Sequence, residues 1–188
     1  MASIETRAHT CTHESVTVEV LIPSRVIGID PGISGAIAVL TDAGDLVTVH
    51  DMPILADGAK SKTKGKRRNS VSAPLLRDII AQIGPTQAFL EDVHAQPRDG
   101  AAGAFGFGRS KGVIEGVLAG LGIPVRMVAP QTWKRVVGIK SGTDKDGSRS
   151  EAIRRFPSKA ALFARVKDDG RAEAALIGVA GMRGRGAA

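Results

Sequence analysis

Five acidic side chains are candidates for holding a divalent ion: Asp30, Glu91, Asp168, Asp169 and Glu173. Asp30 closes the β-branched run RVIGID and precedes a Pro-Gly turn; Glu91 stands near the end of a second apolar run, TQAFLEDV. Glu173 follows Asp169 by four residues, about one helical turn, so both can face one site. Carboxylates brought together raise one another's pKa unless a cation lies between them. Oxygen ligands of this kind suit Mg²⁺ or Mn²⁺. A pair of such ions can activate water and stabilise a leaving oxygen in phosphoryl transfer. Each acid also has an ordinary reading. Asp30 before Pro-Gly is a good turn residue, Asp168 and Asp169 suit a helix N-terminus, and Glu91 and Asp92 can be plain strand-end charges. Those readings explain least well why two apolar strands of one small sheet both end in an acid.

The elements that must position these acids can be read from periodicity and breakers. RVIGID (ending at Asp30), AIAVLT and LVTVHDM read as three antiparallel strands, joined by the PGISG turn and the DAGD hairpin turn. A basic loop, residues 57–70, follows. Leu75, Leu76, Ile79, Ile80 and Ile83 have helical spacing, with Gly84 as a stop. TQAFLEDV is a fourth strand. A glycine-rich loop, RDGAAGAFGFGRS, leads into the helix SKGVIEGVLAGLG. IPVRMV is a fifth strand, PQTWKRVVG a short helix opened by Pro130, and a polar loop from Ser141 to Ser148 precedes a helix near 150–156. The last helix begins near Arg171. Three antiparallel strands followed by alternating helices and strands make a mixed α/β sheet. Gly108, Gly112, Gly116 and Gly120 fall on one helix face. Each costs about 1 kcal/mol relative to Ala, so close approach of another backbone is expected there, the chain's own sheet before a second subunit.

The chain has 188 residues, 26 basic and 19 acidic, with a net charge of +7. Its length suits one domain: a folded body over 25–183, an N-terminal extension over 1–24 and a short tail over 184–188. No apolar run approaches the roughly 18–20 residues of a membrane span, and the polar N-terminus does not read as a secretory signal. A single cysteine, Cys11, excludes an internal disulfide framework and fits a reducing cytoplasm. His9, Cys11 and His13 lack a visible fourth ligand for zinc. Charge is concentrated. Lys60, Lys62, Lys64, Lys66, Arg67 and Arg68 fall in a stretch without any acid between Asp57 and Asp78. Such a run is either a solvated loop or a contact for a polyanion such as nucleic acid.

With IGIDPGISGAIAVL, FLEDVHAQP, FGFGRSKGVIEGVLAGLGIPVRMVAPQTWKRVVG and KDDGRAEAALIG in order, the chain resembles the RuvC-type Holliday junction resolvases, nearest to the compact bacteriophage kind. The resemblance implies an RNase H-like fold, a five-stranded mixed sheet with helices on both faces. It implies a homodimer that cuts four-way DNA junctions with Mg²⁺, or Mn²⁺ in its place, held by four acids. Asp30, Glu91 and Glu173 match three of them. The usual fourth position is Gly170 here, so Asp169 is assigned, with Asp168 as alternate. Lys134 matches a lysine near the scissile phosphate and Lys145 a second one. Phe105 and Phe107, in the glycine-rich loop, either wedge against bases or anchor the loop, and Trp133 is read as packing. Other branched DNA, RNA–DNA hybrids, or DNA binding without catalysis remain open. An actin-like ATPase, suggested by DPGISG alone, needs a longer chain.

Overall fold

The computed structural model describes residues 24–60, 67–94, 100–140 and 146–184, with only the backbone for 56–60, 67 and 68. The side chains of Lys60, Lys62, Lys64, Lys66, Arg67, Arg68 and Lys145, and the His9–His13 segment, lie outside the described residues.

β1 (Arg25–Ile29), β2 (Ala36–Thr41) and β3 (Leu46–Asp51) form the expected antiparallel meander. After β4 (Ile54–Lys60), β5 (Arg67–Val71) and α1 (Ala73–Ile83), the chain returns as β6 (Gln87–Glu91), parallel to β1. α2 (Gly100–Gly120) leads to β7 (Val125–Val128), parallel to β6. The five-stranded sheet has the order β3-β2-β1-β6-β7. α3 (Pro130–Val137), α4 (Gly147–Arg155) and α5 (Asp169–Arg183) complete the chain, with 3-10 turns at Pro157–Phe163 and Val166–Asp168. No described helix is long and apolar enough to cross a membrane.

Local chemistry sets the boundaries. Ser72 caps α1 by accepting from the Leu75 amide, Pro74 sits in its first turn, and Gly84 ends it in the left-handed region at φ 59°. Pro130 opens α3, and Gly138, at φ 88°, closes it.

The two sheet faces are filled differently. Ile27, Ile29, Ala88 and Leu90 pack with Leu76 and Ile80 of α1 and Ile114 and Leu118 of α2. Val26, Ala38, Leu40 and Phe89 pack with α5, Trp133 and Phe163 on the opposite face. α5 is buried along most of its length because it is built of Ala and Gly. A Cβ on Gly28 would stand 2.2 Å from the Ala174 carbonyl oxygen, and one on Gly181 would stand 2.1 Å from the Phe89 ring. The helix backbone therefore lies directly on the central strands.

Three expectations are corrected. The basic segment 57–70 is not simply a loop: β4 and β5 pair antiparallel as a second, two-stranded sheet, with Ile54 opposite Val71. A strand rich in Lys, Arg, Gly and Ser carries no apolar alternation, so it leaves no period-two signal. The stretch holding Phe105 and Phe107 is helical from Gly100, not a loop, because Ala101, Ala102 and Ala104 offset the interleaved glycines. Finally, the Gly108–Gly120 face does not pack on the sheet. A Cβ at Gly108, Gly112, Gly116 or Gly120 would meet nothing within 4 Å. α2 turns Ser110, Ile114 and Leu118 inward instead, and the tight glycine packing belongs to α5.

Candidate active site

Side chains alternate faces along a strand, and register partners in a parallel pair share a face. Gly28 pairs with Phe89 and Ile29 with Leu90. Asp30 and Glu91, one residue further along each strand, therefore share the α5 face with Gly28 and Phe89. Both acids stand where the central strands end. Glu173, in the second turn of α5, completes a group of three carboxylates from segments far apart in the chain.

Their charges lie within electrostatic reach of one another. Burial, then Glu173, then Glu91 push the Asp30 carboxyl up to about 7, against a weaker downward pull from the Gly32 amide, which donates to Oδ1 at 3.3 Å. Burial also raises Glu173, with Glu91 and, more weakly, Asp169 adding to it, while Lys134 and the Ser148 hydroxyl oppose. Ser148 Oγ stands 3.3 Å from Glu173 Oε1. Burial raises Glu91 too, opposed by Trp133 and Lys134. Asp92, the next residue, is turned aside and bound by Lys111 Nζ at 3.0 Å.

Trp133 does more than fill space. It is fully buried and its indole N–H donates to Glu91 Oε1 at 2.7 Å. The sequence spacing offered no signal for this bond. Trp133→Phe keeps most of the packing but leaves a buried carboxylate oxygen without its donor, a loss of about 1–3 kcal/mol. Since that bond holds the Glu91 pKa down, its loss raises the pKa and moves the acid side of any activity profile to higher pH. Urea unfolding and a pH–rate profile check this; unchanged values in both would remove Trp133 from the site.

The acids read at the start of α5 divide. Asp168, the alternate fourth ligand, is buried and committed elsewhere. Arg165 Nη2 donates to its Oδ1 at 2.8 Å, and the Arg165 amide to its Oδ2 at 2.9 Å. These bonds hold its pKa below the usual carboxylate range. Arg171 bridges this cluster to Asp51 at the end of β3, with Nη2 to Oδ2 at 2.6 Å. Asp169 lies 2.9 Å from Arg149 Nε. Arg149, which sequence reasoning missed, extends from the first turn of α4, where the polar loop read from sequence gives way to the helix. Gly170, where the resemblance places the fourth acid, has no room for one. A Cβ there would stand 2.4 Å from the Ser34 carbonyl oxygen and 3.0 Å from Asp30 Oδ2.

Lys134 is exposed, its Nζ 5.2 Å from the Trp133 ring centroid and within electrostatic reach of Glu91 and Glu173. With Gln131, Arg135, Gly138, Ile139 and Lys140 it lines a shallow hollow of about 460 Å³. Phe105 is exposed and Phe107 half-buried, both on the first turns of α2. As placed, no three His, Cys, Asp or Glu side chains among the described residues enclose a point at ligand distance. The donor set still fits a hard divalent cation: three carboxylates, Glu91 buried and Asp30 and Glu173 partly so, all raised by desolvation, are stabilised by one.

The sheet order, its strand directions and the helices on both faces define an RNase H-like fold of the RuvC type, as the resemblance implied. Solved structures that it resembles include junction resolvases. Thermus thermophilus RuvC in complex with a Holliday junction substrate superposes with a TM-score of 0.60 at 14% identity, covering 86% of this chain and 95% of that one. A second Thermus thermophilus RuvC structure gives 0.51 at 14% identity, over 87% and 96%. The yeast mitochondrial Holliday junction resolvase Ydc2 gives 0.52 at 14% identity, over 86% and 78%. No family model matches the sequence, and no curated protein matches it.

Proposed function

We propose that this chain is a structure-selective, metal-dependent DNA endonuclease that resolves four-way junctions as a homodimer. The observation that carries the reading is the convergence of Asp30, Glu91 and Glu173 on one face of the sheet, with raised Asp30, Glu91 and Glu173 pKa values. The fold it shares with junction resolvases supports the substrate class.

Asp30, Glu91 and Glu173 would hold Mg²⁺, with Mn²⁺ as substitute. Such an ion supplies a low-pKa water for attack on phosphorus and balances charge on the departing 3′ oxygen. Trp133 holds Glu91 in orientation and Ser148 does the same for Glu173. Lys134 steadies negative charge on the phosphate. Lys60, Lys62, Lys64, Lys66, Arg67 and Arg68, with Lys145, are assigned to grip the DNA backbone. Phe105, exposed at the start of α2, and Phe107, half-buried two residues on, are assigned to stack on unpaired bases.

The open glycine face of α2 supports the dimer. Four glycines on a solvent face cost helix stability at about 1 kcal/mol each, and a second copy's backbone is the close neighbour that would offset it. A two-fold dimer presents one site to each of two opposed junction strands.

One gel series tests the proposal: four-way junction, flap, RNA–DNA hybrid and plain duplex, each with Mg²⁺, Mn²⁺ or EDTA. Symmetrically paired nicks in the junction alone, absent in EDTA, are expected. Equal cutting of plain duplex would overturn the selectivity. Tight junction binding without cutting in either metal would favour a non-catalytic DNA-binding protein.

A further inference from the structure

A side chain at position 170 would point at Asp30 Oδ2, 3.0 Å from its Cβ. One residue along an α-helix is a turn of about 100°. Asp169 is therefore rotated away from the Asp30 carboxylate. Asp169 faces α4 instead. There Arg149 Nε lies 2.9 Å from its Oδ1, an ion pair rather than an aligned hydrogen bond.

Arg149 is itself held. Its Nη2 pairs with Asp146 Oδ1, and its Nη1 donates to the Ala164 carbonyl at 3.4 Å. Its side chain is only 12% exposed. Three anchors fix a guanidinium, whose charge does not titrate, against the acid assigned as the fourth ligand. The preceding residue, Ser148, contacts Glu173. The first turn of α4 thus touches both acids of α5.

Resting on the metal-dependent reading above, we infer that this chain binds one divalent ion, at Asp30, Glu91 and Glu173, and that Arg149 supplies the second positive charge as a positioning residue on Asp169. A second divalent ion at Asp169 would lie beside a fixed cation and meet direct repulsion. The acid at 169 then serves to hold Arg149, and through it α4, beside the site.

The test counts bound metal on the full chain, with MnCl₂ followed by equilibrium dialysis and isothermal titration calorimetry. The native protein is expected to bind one Mn²⁺ per chain, and Asp30→Asn to bind none. Arg149→Met frees Asp169 and is expected to bind two, while Arg149→Lys keeps one. Two ions in the native protein would overturn the inference and leave the metal reading standing. One ion in a folded Arg149→Met, checked by circular dichroism, would also overturn it. If Arg149→Met does not fold, Asp169→Asn decides. It should keep one ion with an affinity within about threefold, as expected for removing a charge that is already paired; loss of that ion overturns the inference. No binding by the folded native protein would overturn the metal reading and this inference together.

Discussion

Asp30→Asn is expected to abolish junction cleavage while making the metal-free protein more stable. The two effects have one cause. Asp30 is enclosed at the end of β1, faces Glu91 and Glu173, and is pushed up to about 7. An acid whose pKa is raised by folding opposes folding whenever it is ionised. The sign follows from linkage: the folded state binds the proton more tightly than the unfolded state does. The cost is full above pH 7, declines as pH falls through 7, and vanishes below about 4, where both states are protonated. A shift from 3.8 to about 7 corresponds to at most about 4 kcal/mol. Asn cannot ionise, so at pH 8 the variant should unfold at higher urea than the native chain in EDTA. The gap should close toward pH 4. A smaller slope persists in the variant, because Glu91 and Glu173 are raised by burial as well. Asn also offers one neutral oxygen in place of a carboxylate. The expected fall in cleavage is on the order of a thousandfold or more, comparable with removing a principal electrostatic group. Cleavage within tenfold of native in Mg²⁺ would show that Asp30 is not part of the chemistry.

Gly170→Asp restores the acid that the family resemblance expects at that position, and is expected to destroy the site. The would-be Cβ stands 2.4 Å from the Ser34 carbonyl oxygen and 2.9 Å from Gly35 Cα, both backbone atoms that cannot swing away. The N-terminal turn of α5 must move off the PGISG turn, and Glu173 moves with it. The steric part alone should cost about 1–3 kcal/mol or more. A further carboxylate facing Asp30 then adds repulsion in a buried setting. Gly170→Ala separates the two contributions, since it carries the steric part without the charge. Both variants should lose cleavage and unfold at lower urea, Gly170→Asp further than Gly170→Ala at pH 8. A stable, active Gly170→Asp would mean that the α5 turn does not pack as described.

Much of the fold was open to reading from residues alone. Strands β1, β2, β3, β6 and β7 announced themselves because they are apolar runs bounded by turn residues. α1 and α3 carry their own punctuation, Ser72 and Gly84 in one, Pro130 and Gly138 in the other. The β4–β5 hairpin escaped because strand pairing between basic and small residues rests on backbone bonds, which have no sequence period. The length of α2 escaped because glycine usually signals a loop. The purpose of its glycines was misassigned because a stripe at i, i+4 shows that a face exists without showing what covers it.

Asp30, Glu91 and Glu173, together with Asp169, are readable as candidates because strand ends and helical spacing are local facts, and the order of motifs resembles a known arrangement. The division between Asp168, Asp169 and Gly170 was not. Adjacent helix positions differ by about 100° in direction, and which direction meets a carboxylate depends on how α5 rotates as it settles on Gly28 and Phe89. That rotation is set by contacts between residues more than eighty positions apart in sequence. Arg149 and Trp133 likewise became partners of Asp169 and Glu91 only through packing. Sequence determined which groups were available and on which elements; tertiary contact decided which of them face one another, because burial and charge act through space and carry no record in the order of the chain.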